Sequence, residues 1–339
     1  MHHFEPGGEV AYASNLGIRI HGGWTRAFPQ KTLRLYARND YGNRTFDYPF
    51  FGKDGPDTHR RLILRNSGND WEWTLLLDGY VQTLVHHLDV ETQAYQPTVL
   101  FINGEYWGIH NLRERYDRHY LEIAHGVDPD NVAIVSGYGP CCEVDTGEED
   151  DAESYEQLLF DLQELDPADP ATLAHVEALI DVDDLIDYLA IQLYVSNTDW
   201  PQNNLKLWRE KVGPDASIGS ARDGRWRWLV YDLDFVGDLR RDHFHDPFER
   251  MAGMVNASDP LADMGFPFLF DRLAQNPEFR DRFATRFADL ANTAFRSDRA
   301  IAELDALIAL LEPEMHHHID RWGNSSSSNW WPPEAPIRW

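Results

Sequence analysis

The segment from residue 196 to residue 234 constrains the fold most, because it alternates apolar runs with clusters of oxygen-bearing side chains. An apolar helix pattern ends in a polar loop, a short strand follows at 205–208, and a second strand runs over 225–231. If these strands pair as a hairpin with a long connection, the polar loop and the end of the second strand meet at one end of a small sheet. We therefore expect several carboxylates and carboxamides to lie together at that end.

Oxygen ligands predominate in this cluster, which comprises Asp199, Asn203, Asn204, Asp232 and Asp234. Ligands of this kind suit Mg²⁺, which is usually held by a few protein oxygens and substrate phosphates. Each residue taken singly is more simply a turn cap or a strand end. The ordered set, however, indicates a site for a divalent metal.

The interval between Asp199 and Asn204 resembles that of the protein-kinase catalytic loop, in which an Asn follows the catalytic Asp by five residues. In that mechanism the Asp accepts the proton of the substrate hydroxyl, the Asn holds one Mg²⁺, and an Asp after a later strand holds another. Asp232 stands at the position required for the last role.

A wider resemblance rests on stretches such as Asn-Thr-Asp-Trp-Pro-Gln-Asn-Asn at 197–204 and Trp-Leu-Val-Tyr-Asp-Leu-Asp at 228–234. The chain resembles the spore-coat CotH kinase family, an atypical, secreted or surface-displayed group of kinase-like proteins. The matching stretches occur in the family's order and span nearly the whole chain; they are 21–35, 62–66, 101–115, 197–204, 228–234 and 318–323.

The resemblance implies an α+β, atypical protein-kinase-like fold with two lobes, in which a mixed or antiparallel N-terminal sheet precedes a mainly helical C-terminal lobe. We expect one domain over 1–339. Its predicted parts are a sheet region at 1–136 with a helix at 71–88, an acidic loop at 137–151, and a C-terminal region at 152–339 with a catalytic loop at 197–204 and a metal loop at 232–235.

The resemblance further implies a kinase that uses ATP and Mg²⁺ and phosphorylates Ser or Thr of a protein substrate. Asp199 would then be the catalytic base, Asn204 and Asp232 would hold the metal, and Asp234 would support them. It also implies a secreted or cell-surface location, although the first residues do not read as a signal peptide. We expect a monomer.

Candidate phosphate-binding residues lie in the N-terminal part, where no Gly-rich GxGxxG loop occurs. Lys31 begins a predicted strand at 31–39, and Arg26 lies in the turn before it, so both could face ATP phosphates. Asp78, in the predicted helix, could pair with Lys31 as a helix acid pairs with the kinase lysine.

Two further residues have alternative roles. Arg65 follows a predicted strand at 61–64 and could bind phosphate or form a structural ion pair. Glu114 falls on an acidic position of the family and could contact nucleotide or lock the junction between lobes. It ends a predicted hairpin whose strands, 97–102 and 105–114, flank an Asn-Gly turn at Asn103.

Periodicity predicts the remaining elements. The predicted strands are 10–21 and 131–135, and the predicted helices are 116–124, 152–164, 171–180, a helix capped by Asp181, 266–274, 277–290 and 299–311.

Charge excludes some partners, because 57 acidic and 30 basic residues give a formal charge of -27. Such a surface repels nucleic acid and anionic lipid. The acid excess fits either a salty habitat or a general need for solubility. We also expect no membrane span, because no apolar run reaches about 18 residues.

Cysteine and histidine give weaker signals. Cys141 and Cys142 are adjacent, so we expect free thiols and no disulfide framework. His243 and His245 lack a third ligand at zinc spacing, and the triplet at 316–318 reads as solvated.

Two other functions stay open. The chain could be a degenerate kinase fold that serves as a surface adhesin or binding module. Less probable is a carbohydrate hydrolase, in which two carboxylates at one sheet end act as acid and base. That scheme gives no task to Asn203, Asn204 or Lys31.

Overall fold

The computed structural model describes residues 1–53, 55–137, 141–211, 221–237 and 246–323 of the 339-residue chain. The sequence expectations for His243 and His245 lie outside these residues. So does the aromatic tail at 330–339, which its composition predicts to pack on the domain. Two compact units are present. The first comprises Met1–Thr83, Gln93–Ala124 and Ile301–Trp339, and the second comprises Leu84–Thr92 and His125–Ala300.

The fold is α+β, as expected, and the pairings between its named strands are all antiparallel. The strands are β1 (His2–Phe4), β2 (Val10–Ala13), β3 (Gly17–His21), β4 (Thr32–Tyr36), β5 (Phe46–Asp47), β6 (Thr58–His59), β7 (Arg61–Arg65), β8 (Tyr95–Ile102), β9 (Glu105–Glu114), β10 (Val132–Gly137), β11 (Glu143–Thr146), β12 (Leu205–Glu210) and β13 (Arg227–Trp228).

Nine α-helices are present in the described residues. They are α1 (Leu77–Val85), α2 (Arg118–His125), α3 (Glu153–Glu164), α4 (Pro170–Leu179), α5 (Val182–Tyr194), α6 (Pro247–Gly253), α7 (Phe266–Ala274), α8 (Pro277–Asn292) and α9 (Ser297–Trp322). Helices α3 to α8 lie in the second unit. Among the described residues, no helix is both long enough and apolar enough to cross a lipid bilayer.

The first unit is built on a five-stranded sheet with the order β3-β4-β7-β9-β8. Alternate residues of β4, Leu33 and Leu35, are buried in one cluster with Leu62 of β7 and Leu112 of β9. The intervening residues of β4, Arg34 and Tyr36, lie on the opposite face, as the period of two requires. Burial of one such leucine stabilises the fold by roughly 1.5–3 kcal/mol.

The hairpin of β8 and β9 confirms the clearest prediction of local structure. Asn103 and Gly104 form the turn with φ of 53° and 82°, which matches the positive φ that a type I′ turn needs at both central residues.

Predicted strand 10–21 is two strands, because its halves join different sheets. β2 pairs with β1, whereas β3 pairs with β4. A residue pattern of alternating polarity does not show where a chain leaves one sheet for another.

The helix expected over 71–88 is shorter, and α1 begins only at Leu77. Leu75 has a φ of 67°, which ends any helix before it. The Asp70 carboxylate accepts hydrogen bonds from the backbone N–H groups of Thr74 at 2.9 Å and Leu77 at 3.0 Å. This buried side chain therefore fixes the start of α1, and burial raises its pKa to about 6.

The second unit contains a four-stranded sheet with the order β11-β10-β12-β13. Its edge strand β11 lies inside segment 137–151, which the sequence predicts to be an acidic loop. Asp151, from the same segment, is buried and pairs with Lys211 at 2.9 Å. The prediction of a loop is therefore wrong for β11, and that of a solvated segment is wrong for Asp151, whereas residues 147–150 are exposed as expected. The expectation of free thiols at Cys141 and Cys142 is also wrong, because the two residues form a disulfide with each other.

Helix α5 carries the chain towards the polar loop. It begins as predicted, with Asp181 as its N-cap, and its apolar side is buried in the second unit. The carboxylate of Asp184 accepts a hydrogen bond from the backbone N–H of Trp228 at 2.7 Å. This bond fixes α5 to β13, and thus places the loop after α5 beside the sheet.

Helix α9 is longer than its predicted range, and it corrects the expectation for one of three histidines. His316 and His317 are exposed, but His318 is buried. Its Nδ1 accepts a hydrogen bond from the backbone N–H of Ile109 at 3.0 Å. Burial lowers the pKa of His318 to about 3, so the ring is neutral at pH 7.

Candidate active site

The loop from residue 195 to residue 204 holds the predicted catalytic base. Asn197, at its start, donates a hydrogen bond to Oε1 of Gln192 at 3.0 Å and accepts one from the backbone N–H of Asp199 at 3.2 Å. Because Gln192 is buried in α5, these bonds connect the position of Asp199 to the helix. The apolar pattern of α5 thus determines where the polar loop begins.

Two carboxamides hold the carboxylate of Asp199. Asn203 donates to Oδ1 at 2.7 Å, and Asn204 donates to Oδ2 at 3.0 Å. Since both bonds use the nitrogen end of the amide, the carboxamide oxygens of Asn203 and Asn204 keep their lone pairs. The cluster therefore fixes one carboxylate and offers two further oxygen atoms.

Strands β12 and β13 pair, as the sequence predicts, with Leu207 opposite Trp228. The antiparallel pairing puts the residue before β12, Asn204, and the residues after β13 at the same end of the sheet. β13 is shorter than its predicted range, because the backbone N–H of Val230 donates to the carbonyl of Glu91 instead.

The charges of Asp199 and Asp232 interact. Burial raises the pKa of Asp199, and the negative charge of Asp232 raises it further, while the hydrogen bonds from Asn203 and Asn204 and the charge of Arg250 act against this. Two neighbouring carboxylates that repel each other are stabilised by a cation.

Backbone conformation marks the same two loops. Asn204 and Asp232, both predicted metal ligands, have φ of 58° and 57°. Few residues other than glycine adopt this left-handed conformation, although Asn and Asp tolerate it better than others. Such residues cluster at functional sites, where the surrounding structure holds them.

Hydrogen bonds join the loop of Asp199 to the loop of Asp232 and Asp234. The backbone N–H and the hydroxyl of Thr198 both donate to the carbonyl of Phe235, at 3.4 Å and 3.3 Å. The N–H of Gly237 donates to the carbonyl of Val195 at 2.8 Å. Asp234 itself is only 1% exposed. The structure thus brings all four second-unit candidates into two adjoining loops.

Arg250 is a residue that the sequence analysis missed. From α6, its guanidinium donates to the carbonyl of Thr198 at 2.8 Å and to Oε1 of Gln202 at 2.7 Å, and it also contacts the carbonyl of Trp200. It therefore clamps the loop on both sides of Asp199. Nothing near Arg250 in the sequence signals this role, because its partners lie about fifty residues earlier.

Lys31 and Arg26 lie in one turn of the first unit. The ammonium of Lys31 donates to the carbonyl of Arg26 at 2.8 Å and also to that of Phe28. Arg26 is exposed, and its Nε donates to the carbonyl of Gly23 at 3.4 Å. An ammonium has three donors, so Lys31 keeps one N–H beyond these two bonds.

The expected pairing of Asp78 with Lys31 is wrong. Asp78 forms an ion pair with Arg113 of β9 at 3.0 Å, and both side chains are buried. A buried carboxylate is stabilised by a partner with several donors, and the guanidinium supplies them.

Arg65 and Glu114 lie on neighbouring strands. Arg65 ends β7, opposite Asn111 of β9, and is partly exposed. Glu114 is buried, and its carboxylate accepts a hydrogen bond from the backbone N–H of Ala94 at 3.0 Å. Its bond thus holds the chain that enters β8.

The candidate residues are divided between the units. The four candidates for nucleotide binding lie in the first unit, and those for catalysis and metal binding lie in the second.

The family model described as CotH kinase protein matches residues 18–334, a range that includes every candidate residue. The comparison with curated proteins gives no significant match. Membership of this family suggests a kinase-type function. With nearly its whole length matched, the chain belongs to the CotH kinase family.

Proposed function

We propose that the protein is a kinase that uses ATP and Mg²⁺ to phosphorylate Ser or Thr residues of a protein substrate. The observation that carries this proposal is the environment of Asp199. Its carboxylate is held by Asn203 and Asn204, and its pKa is raised by burial and by the charge of Asp232.

The donor set fits Mg²⁺. The carboxamide oxygen of Asn204 and the carboxylate of Asp232 are hard oxygen ligands of the kind that Mg²⁺ takes from proteins. The negative charge of Asp232 repels that of Asp199, which provides a reason for a cation to bind there. Asp234 would support this pair from the next turn of chain. Bound Mg-ATP would supply the phosphoryl group and the cation that neutralises its charge.

Asp199 would orient the acceptor hydroxyl and take its proton. A raised pKa suits this role, because a stronger base accepts a proton more readily. The carboxamides of Asn203 and Asn204 would keep the carboxylate in one orientation. Arg250 would hold the backbone around it through the carbonyl of Thr198.

The first unit would contribute positive charge. Lys31 and Arg26 would neutralise phosphate charge, and Arg65 is a further candidate at the end of β7. Glu114 would act through the chain it holds at Ala94. In this proposal the two units are the two lobes of the kinase-like fold, and the protein is a monomer that acts outside the cell or at its surface.

The test is phosphoryl transfer from radiolabelled ATP with three variants and one control. Asp199→Asn should lower transfer by about 10²- to 10⁴-fold, the usual contribution of a positioned base, and Asp232→Asn should also lower it because it removes a metal ligand. Asn204→Gly removes the carboxamide but keeps a residue that accepts positive φ, so it should lower transfer without unfolding the chain. EDTA should abolish transfer by all forms.

The control is Asp281→Asn, which makes the same chemical change at an exposed position of α8. Wild-type transfer by Asp199→Asn or Asp232→Asn would reject the assignment. Binding of Mg-ATP without transfer to any protein would favour a degenerate kinase fold that serves as a binding module.

A further inference from the structure

A cleft of about 330 Å³ in the first unit carries a local charge opposite to that of the whole chain. The chain has 57 acidic and 30 basic residues. Among the residues that line this cleft, the charged or titratable ones are four arginines, one histidine and one aspartate. We name the group the arginine cleft, and it consists of Arg38, Arg44, Arg60, Arg61, His119 and Asp40.

Two of the arginines are held in place by carboxylates. Arg60 pairs with Glu122 at 3.1 Å and Arg61 pairs with Asp117 at 2.9 Å. A guanidinium has five N–H donors, so one ion pair leaves donors for a second anion. Arg60 and Arg61 are therefore held in fixed positions in the arginine cleft and keep donors for a ligand.

The other two arginines carry charge without a matching acid. Arg38 and Arg44 are exposed, and within the described ranges neither has a carboxylate at ion-pair distance. Asp40 lines the same cleft but forms no ion pair with either of them. In an acid-rich chain, arginines left unpaired around a cleft indicate an anionic ligand.

The ring of Tyr36 lies beside three guanidinium groups, two of them from the arginine cleft. The guanidinium carbons of Arg38, Arg61 and Arg115 lie 5.1 Å, 5.7 Å and 5.7 Å from the centre of its ring. Cation–π contacts orient the three side chains. Because these contacts occupy the ring, it is not a platform on which a nucleobase could stack.

Neighbouring groups respond to the same positive potential. Burial lowers the pKa of His119, and the charges of Arg60 and Arg61 lower it further, although Asp117 and Glu122 oppose them. Burial also lowers the pKa of Arg115; the charge of Asp117 opposes this, and the charges of Arg34 and Arg61 add to it.

We propose that the arginine cleft binds the phosphoryl group of a phosphorylated Ser or Thr residue in a partner protein. Guanidinium forks match phosphate oxygens in bidentate pairs, and clusters of arginine are a recurrent means of recognising phosphorylated motifs. The cleft volume exceeds that of a phosphate group, so it also takes the side chain that bears it. That the ligand is a product of this same enzyme rests on the proposed function, whereas the binding itself does not.

The test is fluorescence anisotropy with a labelled peptide that contains phosphoserine and with the same peptide containing serine. Measurements use the full chain without nucleotide or metal, so the result does not depend on transfer. We expect the phosphopeptide to bind at least about tenfold more tightly than the serine peptide, since one bidentate phosphate contact contributes on that scale. Its affinity should fall as salt rises.

The variant is Arg38→Gln with Arg44→Gln, which removes the two exposed guanidiniums. It should weaken phosphopeptide binding by at least about tenfold. The matched control is Arg280→Gln with Arg296→Gln, two exposed arginines of the second unit, and it should bind as wild type does. Circular dichroism should show equal thermal unfolding for both double variants.

Three outcomes would overturn the proposal. The first is equal affinity for the two peptides, and the second is an equal loss of phosphopeptide affinity in the arginine-cleft variant and the control. The third is that, with pyrophosphate as an additional probe, the arginine-cleft variant weakens the binding of pyrophosphate but not that of the phosphopeptide. The last result would assign the cleft to a free phosphate compound. Failure of the kinase test with a positive result here would reject the proposed function and leave the cleft's ligand unchanged.

Discussion

Asn204 and Asp232 adopt a backbone conformation that most residues avoid, and both are predicted metal ligands. The residue types alone predict the chemistry of the site, because oxygen donors at this spacing have few other common tasks. The left-handed conformation could not be predicted, since the signal for it is normally glycine. Asn and Asp fill such positions less often, so their sequence does not distinguish a strained ligand from an ordinary strand end.

The buried His318 makes stability depend on pH. Its pKa is about 3 in the fold and about 6.5 when unfolded, so between these values the unfolded chain binds more protons. The contribution of His318 to the free energy of unfolding is therefore fully present above about pH 6.5, and it is lost as the pH is lowered towards the folded pKa. At about pH 4 the loss from this one ring approaches roughly 3 kcal/mol. His110, with a folded pKa of about 4, adds a loss of the same sign.

Replacing His318 by Asn tests this prediction. The Asn carboxamide oxygen can accept the N–H of Ile109 but does not titrate. The variant should therefore lose less stability between about pH 6.5 and pH 4, as followed by urea denaturation. His316→Asn changes an exposed histidine of the same helix and should keep the wild-type slope. An unchanged slope in His318→Asn would show that this ring does not govern the acid response.

At the scale of elements, prediction succeeded where one local signal decides the outcome. The Asn103–Gly104 turn has its own φ preference, and Asp181 begins α5 through a side-chain cap. It failed where a distant partner decides. Strand β13 ends early because Val230 bonds to Glu91, and β11 forms within an acid-rich segment because β10 offers a free edge. Local residue patterns do not contain those partners.

The short strand β13 depends on an ion-pair network. Arg227, at its start, pairs with Asp181 at 2.7 Å and with the buried Asp223 at 3.0 Å. Arg227→Ala would leave Asp223 with Arg225 as its remaining cation, so the loss should be about 1–3 kcal/mol, the cost of removing one partner from a buried polar group. We expect this loss in the urea-derived free energy of unfolding.

The control for this change is Arg280→Ala at an exposed position of α8. It should change stability by less than about 0.5 kcal/mol. If Arg227→Ala were as mild as Arg280→Ala, then β13 would be held by its apolar contacts and by the bond from Trp228 to Asp184 rather than by the ion pairs.

For the whole molecule, the chain order does not follow the compact units. Residues 301–323 belong to the same unit as the N-terminal sheet, where His318 and Trp322 bond to the backbone of β9. The apolar stripe of α9 predicts that the helix packs against another element, but it does not identify that element. Resemblance to a family predicted the candidate site and the fold class, because both depend on residues that are far apart in sequence.

The net charge of -27 predicts how the whole chain responds to salt. Its acidic residues outnumber its basic ones by 57 to 30, so repulsion within the fold exceeds attraction. The Debye length falls from about 10 Å at 0.1 M salt to about 3 Å at 1 M, which screens this repulsion more than it weakens the short ion pairs. A gain of about 1–2 kcal/mol would raise the melting temperature of a chain of 339 residues by roughly 1–3 °C. Calorimetry in KCl measures this shift, and tetramethylammonium chloride at equal ionic strength separates screening from binding of K⁺. A melting temperature that stays level or falls between low and molar KCl would rule out a fold adapted to salt and leave solubility as the role of the acidic surface.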